Sequence, residues 1–589
     1  MNKTFNYIFT ASVALTFGFV SCQDDWDAHY DKQADTEHGT ASLYEMIAEQ
    51  PQLSDFRKVL DATKAFANSK QTPVTYATLL GTDQFFTVWA PVNGTFNCDS
   101  LLEMCKTSEG DSLVELHFVK NHVARYSHSF NGKEKRVLMM NEKTLSMEAT
   151  SFGDVSAMDT NKAARNGVLH VIEHPIAYYY NIYEALVGKP EYQHIGKFLR
   201  SYQIDELDEL QSLAMGIVDG KTVYIDSVFK SRNDLLDQNY GHIDREDSTY
   251  WMLVPSKTLW DSLYAEAETY YNYSFVEKAD SVHTRWSYYA LMQDLVFNPH
   301  VQTSINDSIV STTWSQWQGD LFHTYYKPFD EGGLFKTAWA GQEQCSNGMI
   351  YQVDQWPYIK EKTYFRRINV EAEGRMYQFD EAGSDKTKKL GIEYHSTRAD
   401  SVSGGYIVVN PDKQTDKYWI EYELPQVLSG TYDVCVVFLP RSVDPSLPFS
   451  DDIVPAGRRN IHSSKFTVEL TYAGFDGTLY TIDSKTRYNI DPESNSYYVK
   501  TTDKSVDYLF DCNVNPTAAT RAFINNPFFV DTIKLCTMHF PTCNYDQKEV
   551  TNRLKIINAI QNNETNKYWG NWFIDRVLLL PHKEEATDN

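Results

Sequence analysis

The feature that most constrains the fold is a two-part pattern that occurs twice along the chain. In the first copy, TVWAPVNGTF (87–96) is followed by NGVLHVIE (166–173). In the second copy, YWMLVPSKTLW (250–260) is followed by NGMIYQVD (347–354). Short apolar runs bounded by proline or Asn-Gly are typical of buried strands. Because both copies keep the same internal order, the pattern predicts two tandem domains.

The first copy resembles the fasciclin-like domain, a family with a TVFAPTN-x-AF motif and a closing NG-x-x-HVID strand. Between these motifs, LVELHFVKNHVARY (113–126) matches the family's middle motif, except that Asn121 replaces the usual tyrosine before His122. An adhesive role of that dipeptide therefore does not carry over. The resemblance implies an α+β fasciclin-like domain over 43–180, here called the first repeat. It implies a degenerate, longer domain over 181–362, the second repeat.

From residue 363 onward, short strands alternate with turns, which predicts an all-β sandwich. The edges of this C-terminal region (363–589) resemble galactose-binding-like carbohydrate-binding modules. The matching segments are VEAE (370–373), a hairpin over 420–440 and FIDRVLLLP (573–581). Together the resemblances imply a multidomain fold class of two α+β fasciclin-like domains followed by an all-β sandwich.

The N-terminus has the order of a secretory signal. Residues 1–21 carry Lys3 and an apolar stretch too short to span a bilayer, and Cys22 follows Ser21. This arrangement resembles a bacterial lipoprotein signal, and the acidic QDDWD after it resembles the surface-export signal of Bacteroides-type lipoproteins. The resemblance implies lipid on Cys22, a tether over 22–42 and a location at the outer-membrane surface. A plain signal peptide with an incidental cysteine is the alternative.

Charge and cysteine content argue against two kinds of partner, nucleic acids and zinc. The formal net charge is -25, which repels phosphate backbones and disfavours nucleic-acid binding. Seven cysteines remain besides Cys22, and no CxxC pair indicates zinc. One disulfide among Cys512, Cys536 and Cys543 is left open by the spacing.

Candidate metal ligands lie in the C-terminal region. Glu371 and Glu373 are two apart on a predicted strand, so both face the same side. Asp575 lies in the predicted closing strand. In the resembled modules, acids at matching positions bind a structural calcium ion, so the resemblance implies calcium here. The alternative is a pair of exposed glutamates on an edge strand. Of the histidines, His122 or His170 is predicted to be a hydrogen-bonded core residue rather than a metal ligand.

Candidate ligand-binding residues are aromatic, because aromatic faces stack on the C–H patches of sugar rings. Tyr568 and Trp569 lie in a predicted loop, whereas Trp572 belongs to the following strand and is expected in the core. The tyrosines of ETYYNYSF (268–275) are an alternative exposed patch. Packing of all these rings inside the protein is the competing interpretation.

No GxSxG, HExxH, phosphate-binding glycine loop or EF-hand loop occurs, so the chain is not predicted to be an enzyme. The sequence favours a non-catalytic cell-surface lipoprotein that binds or presents extracellular ligand, with glycan as the first candidate. By analogy it would be an accessory to outer-membrane nutrient uptake and a partner of a TonB-dependent transporter. Two alternatives remain: an adhesin that contacts host protein or other cells, and a polysaccharide-degrading enzyme using an unrecognised carboxylate pair.

Overall fold

The protein is a multidomain, sheet-rich chain. The computed structural model describes residues 39–67, 70–207, 213–218, 221–226, 229–299, 308–313, 322–373, 390–396, 402, 404–440, 443, 462–484, 488–490, 497–499, 522–547 and 552–583. Unit 1 comprises residues 1–238, 242–250 and 343–350, and unit 2 comprises the rest. These compact units differ from the predicted domains, because the second repeat contributes to both.

The first repeat is built on a seven-stranded sheet covered by short helices. In pairing order, the strands are Val123–Arg125, Phe86–Pro91, Gly167–Ile172, Val155–Ala164, Ser151–Phe152, Thr144–Met147 and Lys135–Leu138. The helices are Leu43–Ala48, Ser54–Ala62, Tyr76–Leu80, Cys98–Met104 and Ser108–Val114. Both predicted motif strands are fully buried and pair in parallel. Val88 and Ala90 pack in the core under the helices, whereas Trp89 packs in a second core, as expected for side chains that alternate between sheet faces.

The predicted Asn-Gly pair of the first copy joins the helices to the sheet. Asn166 accepts the Leu43 N–H at 2.8 Å and donates to the carbonyl oxygens of Leu80 and Thr82 at 2.8 and 2.7 Å. Gly167 has φ +143°, and a Cβ there would lie 1.8 Å from the Phe86 carbonyl oxygen. Only glycine allows the two strands to approach so closely.

The second copy repeats this arrangement atom for atom within unit 1. Asn347 accepts the Ile182 N–H at 2.9 Å and donates to the carbonyl oxygens of Ile243 and Arg245 at 2.8 and 2.9 Å. A Cβ on Gly348, whose φ is +147°, would lie 1.7 Å from the Tyr250 carbonyl oxygen. The repeat seen in the sequence is therefore also a repeat of hydrogen bonding.

The second motif pair belongs to a six-stranded sheet. In pairing order, its strands are Thr324–Tyr326, Ser308–Ser311, Val296–Asn298, Tyr250–Pro255, Gly348–Val353 and Trp339–Cys345. The α-helices of the second repeat are Ile182–Gly188, Gln193–Ser201, Lys257–Ala267, Ala279–Met292 and Leu334–Ala338. Between helix Gln193–Ser201 and strand Tyr250–Pro255, strand Gln203–Leu207 pairs with Phe229–Asn233, and Leu213–Val218 pairs with Lys221–Asp226.

Two large antiparallel sheets form most of the C-terminal region of unit 2, and Tyr488–Ile490 pairs with Tyr497–Val499 in a separate two-stranded sheet. The first contains, in pairing order, Gly391–Ser396, Gly405–Asn410, Trp572–Pro581, Gly430–Phe438 and Asp531–Phe540, with Ile368–Glu371 also pairing to Trp572–Pro581. The second contains Trp419–Leu424, Asn552–Asn558, Lys465–Ala473 and Leu479–Asp483, with Phe523–Ile524 also pairing to Lys465–Ala473. Rings from the two sheets meet between them: Phe438 lies 4.9 Å from Phe466, and Tyr418 lies 4.6 Å from Trp572.

Candidate functional site

The strand pairing brings the three predicted carboxylates to one edge of the C-terminal region. Glu371 pairs with Arg576 across the first and last strands, and the Ala372 N–H donates to the Asp575 carbonyl oxygen at 2.9 Å. Asp575 is completely buried, with its carboxylate 3.5 Å from the Arg576 guanidinium. Glu373 follows two residues after Glu371. The strand pairing therefore brings Glu371 and Asp575 near each other, as expected, although they lie about 200 residues apart in the sequence.

The electrostatics at this edge favour a further cation. Burial raises the pKa of Glu373, and the Glu371 and Asp575 carboxylates raise it further, while Arg576 opposes them. The Oε2 atom of Glu373 is buried, and no residue in the described part of the chain donates a hydrogen bond to it. Its side chain lies across the backbone of Gly405, where a Cβ would come within 2.6 Å of Oε1. Carboxylate oxygens without donors suit a hard cation such as Ca²⁺.

Among the described residues, however, no three or more His, Cys, Asp or Glu side chains already stand as a metal-ligand group. The three carboxylates interact electrostatically without converging on one point. The calcium site therefore stays a prediction.

Trp569, the second predicted ligand-binding residue, lies at one end of the C-terminal sheets. Its backbone N–H donates to the Ser463 carbonyl oxygen at 3.0 Å, and its half-buried ring lies 5.7 Å from the His462 ring. Tyr568 is also half-buried, but the Lys465 ammonium lies 5.4 Å above its ring. One face of Tyr568 is thus occupied by the Lys465 ammonium.

A narrow, uncharged pocket adjoins Trp569. It is lined by Leu439, His462, Ser464, Asn525, Pro527, Trp569, Asn571 and Phe573. Its volume of about 20 Å³ holds roughly one water molecule, so a sugar ring could not enter it. Directly after Pro527, the side chains of Phe528 and Phe529 are 51% and 69% exposed. A ligand at this end would therefore have to lie on the exposed rings. These phenylalanines were not predicted as ligand-binding residues, although the Asn-Asn-Pro segment before them is typical of a surface turn.

The glycine between the two predicted aromatic residues and Trp572 has a structural reason. The Tyr418 hydroxyl donates to the Gly570 carbonyl oxygen, and a Cβ on Gly570 would lie 3.0 Å from that hydroxyl and 3.1 Å from Pro411. Trp572 itself is completely buried, which confirms its predicted place in the core.

The alternative prediction, that the tyrosines of 268–275 form an exposed patch, was wrong. Tyr271 and Tyr273 are buried in unit 2, and the Tyr273 hydroxyl donates to the Tyr545 carbonyl oxygen at 3.0 Å. Tyr270 packs 4.5 Å from Phe365, which in turn packs 4.8 Å from Tyr432. The tyrosines are buried because this segment packs against strands that come much later in the chain.

A core histidine was predicted at position 122 or 170, and both side chains are buried. His122 Nδ1 lies 2.7 Å from the Phe118 carbonyl oxygen, so it donates there, and Nε2 accepts the Ile176 N–H at 2.9 Å. Burial lowers the pKa of His122 to about 4 and that of His170 to about 4. The Asn121-His122 dipeptide therefore holds the segment after the closing strand and is not available to a partner.

Some of the sequence predictions concern residues without structural description. Cys22, the predicted lipidation site, and Cys512 lie outside the described residues. The described cysteines, Cys536 and Cys543 among them, are free thiols. In the described part of the chain, no helix combines the length and apolarity needed to cross a bilayer.

Comparison with known proteins yields structural likenesses alone. No protein-family model matches the chain, and no curated protein matches it. A Paenibacillus xanthan lyase aligns at 11% identity and TM-score 0.18, over 36% of this chain, which spans only 13% of the lyase. A FAS1 domain pair from the insect cell adhesion molecule fasciclin I aligns at 11% identity and TM-score 0.16, over 47% of this chain and 90% of the pair. A xylan-binding domain of CBM 22 aligns at 11% identity and TM-score 0.18, over 37% of this chain and 96% of the domain.

Proposed function

We propose that this chain is a non-catalytic cell-surface lipoprotein that binds extracellular glycan, with two fasciclin-like domains followed by a galactose-binding-like β-sandwich. The aromatic residues at this end of the C-terminal sheets, half-buried Trp569 and exposed Phe528 and Phe529, are the observation that carries the proposal. Trp569 and Pro527, the residue before the two phenylalanines, line the same pocket, and aromatic rings suit the apolar faces of sugars. The N-terminal signal supports lipid attachment at Cys22 and a location on the outer membrane.

The role in uptake extends this proposal. A surface glycan binder would serve a nutrient transporter of the TonB-dependent class by concentrating polysaccharide beside it. The excess of acidic over basic residues, 79 against 54, favours neutral over acidic polysaccharides.

Calcium is proposed as a structural ion at the edge strand. Glu371, Glu373 and Asp575 would hold it, and rotation of the glutamate side chains would be needed to bring their oxygens together. The ion would neutralise the excess carboxylate charge and fasten the first strand to the last. It would have no part in chemistry.

The test is a glycan-array screen of the soluble chain beginning at residue 23, with and without calcium. We expect selective binding to a neutral polysaccharide. A blank array together with binding to host or bacterial surface proteins would favour the adhesin, whereas release of shortened sugars would favour the degrading enzyme. Either result would overturn the proposal.

A further inference from the structure

A buried lysine joins the two repeats inside unit 1. Lys143 follows a tight turn in which Glu142 has φ +67° and the Met139 N–H donates to the Lys143 carbonyl oxygen at 2.8 Å. Lys143 is only 3% exposed, yet it belongs to the first repeat and points at residues of the second. Its Nζ lies 2.6 Å from Oε2 of Glu184 and 2.7 Å from Oε1 of Glu246.

Both carboxylates are held by the second repeat itself. Glu184 accepts the Asn181 N–H at 2.8 Å and so completes the capping box of helix Ile182–Gly188. Glu246 accepts the Ser346 hydroxyl at 3.0 Å and the Asn181 side-chain amide at 3.3 Å. The ammonium therefore meets two acceptors whose positions are already fixed by three chain segments.

Burial makes this contact selective for one geometry. A buried ammonium that loses its partners keeps an uncompensated charge, which is far more costly than the loss of an exposed ion pair. Two apolar surfaces can shift against each other at little cost, but an ammonium group with short hydrogen bonds to two fixed oxygen atoms cannot. The Lys143 ammonium also lies 5.5 Å from the centre of the Tyr178 ring, which belongs to the segment that connects the two repeats. This contact is a second constraint on the position of the ammonium group.

We propose that Lys143 fixes the first repeat to helix Ile182–Gly188 and loop 242–250 of the second, so that unit 1 moves as one body. This inference is independent of glycan binding. It assigns a mechanical role within unit 1 to a residue that no sequence motif indicates.

A polar cavity gives access to the ion cluster. It has a volume of about 610 Å³, and its rim includes Arg136, Leu138, Glu142, Asp244, Arg245 and Asp247. A small alkylammonium ion can therefore reach the space left by a shortened Lys143 side chain.

The experiment is hydrogen exchange on the chain from residue 23 carrying Lys143→Ala. Amide exchange in 182–188 and 242–250 should quicken at least tenfold, and propylammonium, which replaces the deleted atoms, should restore protection. The matched control is Lys162→Ala, which breaks a half-exposed ion pair with Asp159 in the same unit and should change neither segment. Wild-type protection in Lys143→Ala, or loosening that propylammonium does not reverse, would overturn the proposal.

A second comparison remains informative if Lys143→Ala does not fold. Lys143→Met alone leaves the carboxylates of Glu184, 35% exposed, and Glu246, 13% exposed, without their ammonium partner, whereas Lys143→Met with Glu184→Gln and Glu246→Gln removes all three charges. The proposal expects the single variant to lower Tm by roughly 10 °C and the triple variant to regain much of it. Equal Tm values for the single variant and the wild type would contradict it.

Discussion

Three buried polar residues of unit 1 and the Glu373 carboxyl group at the edge of the C-terminal sheets differ in how they are paired. In unit 1, His122, Lys143 and Asn166 each meet partners at hydrogen-bonding distance. At the edge of the C-terminal sheets, Glu373 lies among carboxylates that raise its pKa, with Arg576 opposing them, and no described residue donates a hydrogen bond to its Oε2. Paired buried groups hold the architecture together, whereas a carboxyl group with a raised pKa is a candidate position for a bound cation.

The two regions should consequently respond to acid in opposite directions. Burial lowers the pKa of His122 to about 4, so the unfolded chain takes up protons before the folded one. Burial and neighbouring carboxylates raise the pKa of Glu373, so the folded state holds its proton more tightly than the unfolded chain does. Acid should therefore loosen unit 1 while it relieves repulsion at the C-terminal edge.

The largest expected effect comes from the two Asn-Gly pairs of unit 1. Gly167→Ala and Gly348→Ala each place a methyl group within 2 Å of a carbonyl oxygen, so each should lower the free energy of unfolding by more than about 3 kcal/mol. Gly132→Ala is the matched control, because Gly132 also has a positive φ but no atom within 4 Å of its Cβ position. Gly132→Ala should lower the free energy of unfolding by about 1 kcal/mol. Urea unfolding measures all three, and equal losses would refute the repeated arrangement.

The next effect is the acid response of unit 1. Stability from neutral His122 is complete above its unfolded pKa of about 6.5 and is lost as pH falls towards 4, by about 2 kcal/mol at pH 5. Hydrogen exchange of residues 115–125 at pH 7 and pH 5 measures it. His122→Gln, which cannot titrate in this range, should reduce the slope, and the remainder should come from His170, whose pKa burial also lowers to about 4. An unchanged slope in this variant would exclude His122 as its source.

The smallest effect is expected at Glu373. The contribution of Glu373 to the free energy of unfolding is greatest at low pH and falls as the pH rises through its raised pKa. Bound calcium should offset this loss of stability. At pH 7, calcium should raise Tm of the C-terminal transition by roughly 3 °C, and Glu373→Gln should abolish the response. Glu421→Gln is a suitable control, because Glu421 has cationic neighbours in Arg553 and Lys555. A calcium response that survives Glu373→Gln would place the ion elsewhere.

Local patterns allowed much of the fold to be predicted. The motif strands around Pro91 and Pro255, and the turns at Gly167 and Gly348, follow from apolar runs and turn chemistry that act over a few residues. Burial of Trp572 follows from alternation along its strand. Pairing of the first and last C-terminal strands was implied by resemblance, and the register then brought Glu371 and Asp575 near each other.

Contacts between distant segments could not be predicted. The Lys143 cluster joins residues 41 and 103 positions apart, and only the Asn181–Glu184 capping pattern was visible in the sequence. Tyr271 and Tyr273 look exposed until the strands that cover them are placed. Exposure of Phe528 and Phe529 is the reverse case, since aromatic residues are usually assigned to a core.

The measurement that tests the account most directly is titration of the glycan found on the array against the chain from residue 23 and its Trp569→Ala variant. Removing the stacking ring should weaken binding about tenfold or more. Tyr326→Ala, which removes a tyrosine that is 60% exposed outside the C-terminal sheets, should leave binding unchanged. Equal affinity of Trp569→Ala and the unmodified chain would contradict the assignment of this surface as the ligand site.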